Sequence, residues 1–254
     1  MFIKPNWPAP AHIRALCTTR ICEGHPGQSH APYDSFNVAT HVGDSALAVE
    51  QNRQLLNEQA CLPSLPFWLD QQHTIKSVCL DRLSSQSWTP LIADASWTTQ
   101  ANQVSVVMTA DCVPLLVTNL QGSLVSAVHA GWKGLVNGIV NQTIQSLPEN
   151  PKNLMVWIGP CIRQPHFEVG QDVYEAFCDK DPKNATFFQK QAIEVEAKYL
   201  ADLAGLLKLE LQTLGITQVY DSELCSFADS EAFYSYRRDG KTGRMASLIW
   251  IESK

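Results

Sequence analysis

Short hydrophobic runs alternate with polar segments through the middle of the chain. The runs VSVVMT, VPLLVT and SLVSAVH, within residues 104–129, are rich in β-branched residues and are separated only by ADC and NLQG. Such short runs with brief connections predict adjacent strands of one sheet. Cys112 would then lie at a strand junction and His129 at a strand end.

A different periodicity precedes this region. Either Asp44 or Ser45 can cap a helix, and the following segment, which ends before Pro63, has helix-forming composition with apolar positions on one side. This predicted helix carries Arg53.

Three more helices and several strands are predicted further along. Apolar residues recur at helical spacing after HAGWKG as far as Pro148, and residues 197–215 predict a long amphipathic helix that ends at Gly215. QDVYEAFC predicts a short helix, whereas LMVWIGPCI, ITQVY and MASLIWIE predict strands.

The order of these elements predicts the fold class. Strands and helices alternate imperfectly and several strand pairs lack an intervening helix, so we expect a mixed α/β (α+β) fold with helices packed outside mixed sheets. No Pro/Gly/Ser-rich linker divides the 254 residues, which predicts a single catalytic domain over 1–254.

The charge and composition of the chain limit the classes of partner that it can bind. The formal net charge is −6 and Lys or Arg residues form no block, which argues against nucleic acid and anionic membranes as partners. No run approaches the roughly 20 apolar residues of a spanning helix, so we expect a soluble, cytoplasmic protein. Eight cysteines never form CxxC, which disfavours a disulfide framework or a zinc ribbon.

The residue types around Cys112 permit three interpretations. Cys112 can be a thiolate nucleophile with His129 as its base, or His73, Cys112 and His129 can be three metal ligands with a fourth position open. The third interpretation makes Cys112 an ordinary buried residue. Spacing alone does not choose between them. His25, His30 and His41 are interpreted as solvated loop residues.

Basic residues provide candidate anion sites. HAGWKG places Lys133 just ahead of a predicted helix, where backbone N–H groups and a cation could bind an anion, although a solvated lysine is the simpler interpretation. FYSYRRDGKTGR contains Arg237, Arg238 and Arg244 and is either an anion site or a charged hairpin, with the hairpin favoured. Arg53 is either a surface charge or a phosphate ligand.

Several motifs taken together resemble the YfiH/YlmD family. NRQLL, QQH, TADCVPLL, HAGWKGL, IGPCI and FYSYRRDGKTGR occur in the family's order through nearly the whole chain. These bacterial proteins were described as multicopper polyphenol oxidases and later as purine nucleoside phosphorylases, and their mammalian relative is called FAMIN or laccase domain-containing protein. The chain has QQHT where the family commonly has QVHG, so the turn after His73 can differ.

The resemblance implies a fold and a set of site residues. The implied fold is a layered α/β/β/α sandwich shared with cytotoxic necrotizing factor, a cysteine-dependent deamidase toxin. The implied metal ligands are His73, Cys112 and His129, with zinc as the ion and copper as the alternative. Arg53 matches an arginine near substrate or phosphate. Further predicted substrate contacts are Asn37, Lys133 and Arg238, and Asp111 is a candidate for orienting a metal ligand.

The activity implied by the resemblance is phosphorolysis. Phosphate would attack C1′ of a purine nucleoside (adenosine, inosine, guanosine or methylthioadenosine) and release the base and ribose 1-phosphate, with adenosine deaminase activity at the same site. The alternatives are a cysteine hydrolase that uses Cys112 and His129, a copper-dependent polyphenol oxidase, and a non-catalytic nucleoside-binding protein. Seven scattered histidines are too few for several clustered coppers, which disfavours the oxidase. We expect a monomer or a homodimer.

Overall fold

The computed structural model describes residues 2–21, 27–83, 90–192 and 197–253. Its strands are β1 (Phe2–Ile3), β2 (Ile13–Thr18), β3 (Leu69–Asp70), β4 (Ser77–Cys79), β5 (Leu91–Ile92), β6 (Ala95–Thr98), β7 (Ser105–Thr109), β8 (Val113–Asn119), β9 (Val125–Ala130), β10 (Leu154–Ile158), β11 (Glu168–Gly170), β12 (Phe188–Lys190), β13 (Lys198–Ala201), β14 (Gln218–Asp221) and β15 (Met245–Ile251).

The α-helices of the described residues are α1 (Ala46–Gln59), α2 (Trp132–Asn137), α3 (Ile139–Ser146), α4 (Gln171–Cys178), α5 (Leu203–Thr213) and α6 (Tyr236–Asp239). None of them combines the length and the apolar character that crossing a membrane requires.

Two large sheets organise the described part of the chain. One has four antiparallel strands in the order β1-β2-β15-β7, and the other has six strands in the order β14-β10-β8-β9-β6-β4. The six-stranded sheet is mixed, because β10–β14 and β4–β6 are parallel and its other pairs are antiparallel. Smaller sheets are β11-β13-β12 and β3-β5.

Alternating side chains bury both faces of these sheets. On β8, Leu115 packs in the core that includes residues of α3 and α5, whereas the next residue, Leu116, packs between the two sheets with Ile249 of β15. A third core joins the outer face of the four-stranded sheet to Leu56 of α1. The layers therefore run helix, sheet, sheet, helix, and the predicted mixed α/β class is confirmed.

The first predicted helix is present, and its cap is now assigned. Ser45 has extended backbone and its Oγ accepts a hydrogen bond from the N–H of Ala48, so Ser45 is the N-cap. Asp44 instead accepts from Ser29 Oγ and Asn37 Nδ2. Arg53 lies on this helix, as predicted.

Two of the predicted elements are divided. The helix after HAGWKG is two helices, because Gly138 adopts φ 96° between α2 and α3. The helix predicted over 197–215 begins only at Leu203, where Asp202 caps it, since the alternating burial of Tyr199 and Ala201 belongs to β13.

Two local predictions are wrong. β7 does not pair with β8 but with β15 in the other sheet, so the ADC segment crosses between the sheets. FYSYRRDGKTGR does not form a hairpin. Ser235 accepts from the N–H of Arg238 and caps the short helix α6. Local sequence patterns report strand or helix character but not which strands pair.

Candidate metal centre

Cys112 lies where the chain passes from one large sheet to the other. Between β7 and β8 the backbone of Asp111 adopts φ 99°, a left-handed conformation that non-glycine residues seldom adopt. The carbonyl oxygen of Asp111 accepts from the N–H of Ile162 at 2.9 Å, which holds this crossover. Cys112 follows it, half-buried, at the start of β8.

Two histidines approach Cys112 from different elements. His129 lies on β9, opposite Pro114 of β8, and His73 lies in the loop after β3 with φ 56°. Candidate ligand atoms of His73, Cys112 and His129 all lie within 4.8 Å of one another. The two imidazole rings have centroids 4.9 Å apart. The structure thus brings together the three residues that the sequence analysis named as ligands.

Gly131 makes this close approach feasible. A Cβ atom at Gly131 would lie 2.6 Å from Nδ1 of His73 and 2.9 Å from Sγ of Cys112. Real Cβ atoms essentially never approach other atoms below 3.0 Å. Two candidate ligands pack against the backbone of Gly131, the first glycine of HAGWKG, so a residue with a side chain does not fit there.

A buried carboxylate, Asp94, positions both histidines. Its Oδ1 accepts from Nδ1 of His129 at 2.8 Å and from the backbone N–H of His73 at 3.1 Å. Its Oδ2 accepts from the N–H and Oγ1 of Thr74 and from the N–H of Gln72. A proton on Nδ1 of His129 leaves Nε2 as the lone-pair nitrogen, the tautomer that a metal ligand needs.

The charges of Asp94 and His129 are mutually stabilised. Burial alone would raise the pKa of Asp94, but the hydrogen bond and charge of His129, with those of Thr74, hold it below its usual value. Burial alone would lower the pKa of His129, but the charge of Cys112 and the bond to Asp94 raise it to about 9. Burial and the charge of His129 lower the pKa of His73.

The donor set fits one divalent cation. Two imidazoles and one thiolate are ligands that Zn²⁺ prefers, and three protein ligands leave a fourth tetrahedral position for water or substrate. His129 is buried, Cys112 is half-buried and His73 is exposed, so this set opens towards solvent on the His73 side. In the described ranges the group has three members, as a catalytic rather than a closed structural site would have.

The same contacts also fit a nucleophile and base. Cys112 and His129 have ligand atoms within 4.8 Å of each other, and the charge of Cys112 raises the pKa of His129, as in a Cys/His dyad. The third imidazole, His73, has no role in a simple dyad and favours the metal interpretation.

Arg53 is half-buried and ordered by two contacts. Its Nε donates to the carbonyl of Val38 at 2.8 Å, and its Cζ lies 3.9 Å from the ring centroid of Trp68. Burial lowers the pKa of Arg53 to about 10. No carboxylate of the described residues forms an ion pair with it, so its charge is available to an anion.

Asn37 and Arg238 have their polar groups occupied within the protein. Asn37 is fully buried and bonds to Ala39, Asp44 and the N–H of Arg244. Arg238 uses all five N–H donors on carbonyls of residues 226, 227 and 233 and on the carboxylate of Asp239. Neither side chain offers a free group in this conformation, so each predicted substrate contact would require an exchange of these bonds.

Lys133 remains accessible near the ligands. It is exposed, with Nζ 5.6 Å from the ring centroid of Trp132, and its charge contributes to the lowered pKa of His73. Its predicted contact with substrate stays a prediction.

Asp111 does not orient a metal ligand. Its Oδ1 accepts from Oγ of Ser226 and its Oδ2 from the N–H of Arg237, both at 2.7 Å. Asp111 therefore bonds to the C-terminal region, whereas Cys112 lies with the two histidines. The hypothesis that Asp111 supports the metal centre is therefore corrected.

Sequence reasoning missed Asp94. Asp94 lies in LIADAS, where an acidic residue flanked by small apolar residues is a signal for a buried, bonded carboxylate. His30 is exposed as predicted, and His41 is exposed but lines a cavity. His25 lies outside the described residues.

Comparisons with known proteins identify the family and the fold. The sequence model of the family described as "Multi-copper polyphenol oxidoreductase laccase" matches residues 14–252. A Haemophilus influenzae protein named purine nucleoside phosphorylase is 47% identical, covering 98% of this chain and 99% of its own. Escherichia coli purine nucleoside phosphorylase YfiH is 42% identical over 98% of each chain. The crystal structure of a Neisseria meningitidis protein of family DUF152 covers 99% of both chains, with 41% identity and a TM-score of 0.91.

Proposed function

This chain belongs to the multi-copper polyphenol oxidoreductase laccase family, which includes YfiH, and from that premise we propose that it is a zinc-dependent purine nucleoside phosphorylase. The observation that carries the proposal is the convergence of His73, Cys112 and His129 on a position open to solvent. The names of the Haemophilus influenzae and Escherichia coli relatives support the reaction. Adenosine, inosine, guanosine and methylthioadenosine are the proposed nucleosides, and adenosine deamination is a second proposed activity.

His73, Cys112 and His129 would hold the ion. When bound, zinc supplies a Lewis acid that lowers the pKa of a coordinated water to about 7, as hydrolytic deamination requires. Asp94 keeps the proton on Nδ1 of His129 and fixes the loop that carries His73, so both rings are oriented before an ion arrives.

The cationic residues serve the phosphorolysis step. A phosphate oxygen forms a bond to C1′ while the glycosidic C–N bond breaks and its electron pair leaves with the purine. A held, oriented anion and positive charge near it lower the barrier. Arg53, ordered by Val38 and Trp68 and lacking an ion-pair partner in the described residues, is proposed to supply that charge, with Lys133 at the exposed edge.

A cysteine hydrolase is the second candidate. The observation in its favour is that the sulfur of Cys112 and a ring nitrogen of His129 lie within 4.8 Å of each other. It differs from the first proposal in needing neither His73 nor a metal ion. The family description names copper chemistry, but the described residues provide one three-residue group, enough for a single ion.

One assay with one pair of variants tests the function. The purified protein is incubated with adenosine or inosine, with and without phosphate, and base, ribose 1-phosphate and inosine are separated by chromatography while bound metal is measured. Cys112→Ala should lose the metal and both activities, whereas Cys61→Ala, an exposed cysteine after α1, should keep them. Full metal content and phosphorolysis in Cys112→Ala would refute the ligand assignment. Metal-independent hydrolysis that requires Cys112 would favour the cysteine hydrolase.

A further inference from the structure

A cavity of about 450 Å³ lies beside α6 and the segment that follows it. Its wall includes His41, Tyr236, Lys241, Thr242 and Arg244, and none of the described residues that line it is a carboxylate. Two permanently charged cations and an imidazole around one opening suit an anion.

Arg244 is held with part of its guanidinium unused. Its Nη1 donates to the carbonyls of Thr242 and Gly243, each at 2.9 Å, and its backbone N–H donates to Oδ1 of the buried Asn37 at 3.0 Å. Nε and Nη2 have no acceptor among the described residues, and no described carboxylate forms an ion pair with Arg244.

The neighbouring Arg238 provides an internal comparison. Its five N–H donors are all bonded to carbonyls or to Asp239, so it acts as a structural clamp for residues 226–233. Arg244, six residues later, keeps two adjacent donors in the planar arrangement that binds two oxygens of one anion.

The surroundings of Arg244 make an unpaired charge costly. Burial lowers the pKa of Arg244, and the charges of Cys112 and Asp111 only partly oppose this. Desolvation and the charge of Arg244 lower the pKa of His41, the charge of Asp70 raises it, and the charge of Arg53 lowers it further. A partly buried cation with free donors gains when an anion completes its bonds.

We propose that this cavity is the phosphate subsite of the enzyme. Inorganic phosphate is held by Nε and Nη2 of Arg244, with Lys241 at the rim and His41 as a further hydrogen-bond partner. This inference rests on the proposed phosphorylase function and assigns its co-substrate to a different arginine from the Arg53 of the sequence motif. The charge of Cys112 raises the pKa of Arg244 against the effect of burial, so the two groups are electrostatically coupled.

Calorimetric titration of the metal-loaded protein with inorganic phosphate, together with the KM for phosphate, tests the assignment. Arg244→Gln should weaken phosphate binding and raise that KM by about 10–100-fold, the usual effect of losing a charge-assisted pair of hydrogen bonds. Arg14→Gln is the matched control, because it removes the same charge from an exposed pair with Glu252. It should leave both values and the metal content unchanged.

A second variant keeps the test valid if Arg244→Gln folds poorly. Lys241 is exposed and can be replaced by Gln with little effect on packing, and Lys241→Gln should weaken phosphate binding by about 3–10-fold. If folded, metal-loaded Arg244→Gln and Lys241→Gln both bind phosphate as the parent protein does, the subsite is refuted.

The outcomes also separate this inference from the proposed function. Phosphorolysis by the parent protein with an unchanged phosphate KM in Arg244→Gln would refute the subsite and leave the phosphorylase intact. Phosphate binding that depends on Arg244, without phosphorolysis of any purine nucleoside, would support the subsite and refute the phosphorylase. A parent protein with no affinity for phosphate would refute the subsite directly.

Discussion

Asp94 and Asp111 are buried carboxylates near Cys112 that serve different parts of the molecule. Asp94 is 0% exposed and accepts from the segment 72–74 and from His129, so its donors belong to the loop and strand that carry the two histidines. Asp111 is 8% exposed and accepts from Ser226 and the N–H of Arg237. It anchors the C-terminal region that leads into α6.

The contrast separates proximity in sequence from proximity in function. Asp111 is the immediate neighbour of Cys112, but its carboxylate bonds to Ser226 and to the N–H of Arg237 instead of to a histidine. Asp94 is 18 positions away and yet bonds to the ring of a candidate ligand. Orientation of the metal ligands and anchoring of the anion cavity are thus divided between two carboxylates.

The largest loss of metal affinity is expected from a substitution at Gly131, the backbone position against which His73 and Cys112 pack. Gly131→Ala would place a methyl group 2.6 Å from the ring of His73 and 2.9 Å from Sγ of Cys112, so at least one ligand must move. We expect metal affinity to fall by more than about 100-fold, beyond the range found for changes outside the ligands. Competition with a chromogenic chelator measures it.

Gly134→Ala is the control for that substitution. Its Cβ would meet Ile139 at 3.4 Å, which is ordinary contact, and Ala is favoured over Gly inside a helix. Metal affinity should be unchanged. Equal losses in both variants would mean that the start of α2, rather than ligand packing, limits metal binding.

Asp94→Asn tests whether Asp94 orients the two histidines for metal binding. The substitution keeps the shape of the side chain but replaces one acceptor oxygen by an NH₂ group that faces existing donors. We expect a loss of about 10–100-fold in metal affinity, as for other residues that orient metal-binding histidines. Urea denaturation of the same variant should show a loss of about 1–3 kcal/mol in the free energy of unfolding. If metal affinity is unaffected, Asp94 supports only the fold.

The sequence predicted which candidate ligands come together better than it predicted their surroundings. His73, Cys112 and His129 are rare residue types in distinctive motifs, so the resemblance could place them without knowledge of strand pairing. Asp94 was not identified, because its role depends on β6 lying beside β9 and on the loop after β3 returning to the same point. Such long-range contacts leave no local periodicity in the sequence.

Element types were likewise easier to predict than their partners. The alternating runs of β7, β8 and β9 identified three strands, but nothing local showed that β7 pairs with β15, 140 residues from its own start. The split helix and the helix α6 depend on a left-handed glycine and on a serine cap. The free donors of Arg244 and the satisfied donors of Arg238 are indistinguishable in the motif that contains both.

Asp111→Asn tests whether Asp111 anchors the C-terminal region without affecting the metal centre. Asn tolerates the left-handed backbone of this position and keeps one acceptor, so one of the two bonds, to Ser226 or to the N–H of Arg237, is weakened. We expect a loss of about 1–2 kcal/mol in the free energy of unfolding and no change in metal affinity. Urea denaturation and chelator competition on the same sample measure both. A metal defect as large as that of Asp94→Asn would abolish the division between the two carboxylates.

Glu210 on α5 shows what burial does to a carboxyl group with few donors, and it carries the smallest predicted effect. It accepts one hydrogen bond, from the N–H of Asn141 at 3.2 Å, and burial raises its pKa to about 7. Asp94 is more deeply buried, yet its pKa is lowered because several donors and His129 stabilise its charge. The donors around a buried carboxyl group therefore decide whether the cost of burying its charge is offset.

The sign of the pH effect follows from proton binding. Between pH 4.5 and about 7 the folded protein retains a proton on Glu210 that the unfolded chain releases. The free energy of unfolding therefore falls as the pH rises through this range, and this group adds no further change above about 7.

Glu210→Gln keeps the acceptor and removes the ionisation. The variant should match the parent protein near pH 5 and be more stable by up to about 2 kcal/mol at pH 8, as measured by urea denaturation. Glu50→Gln, on the exposed side of α1, controls for net charge. An equal difference at both pH values would show that burial does not keep Glu210 protonated, and the contrast with Asp94 would then need another cause.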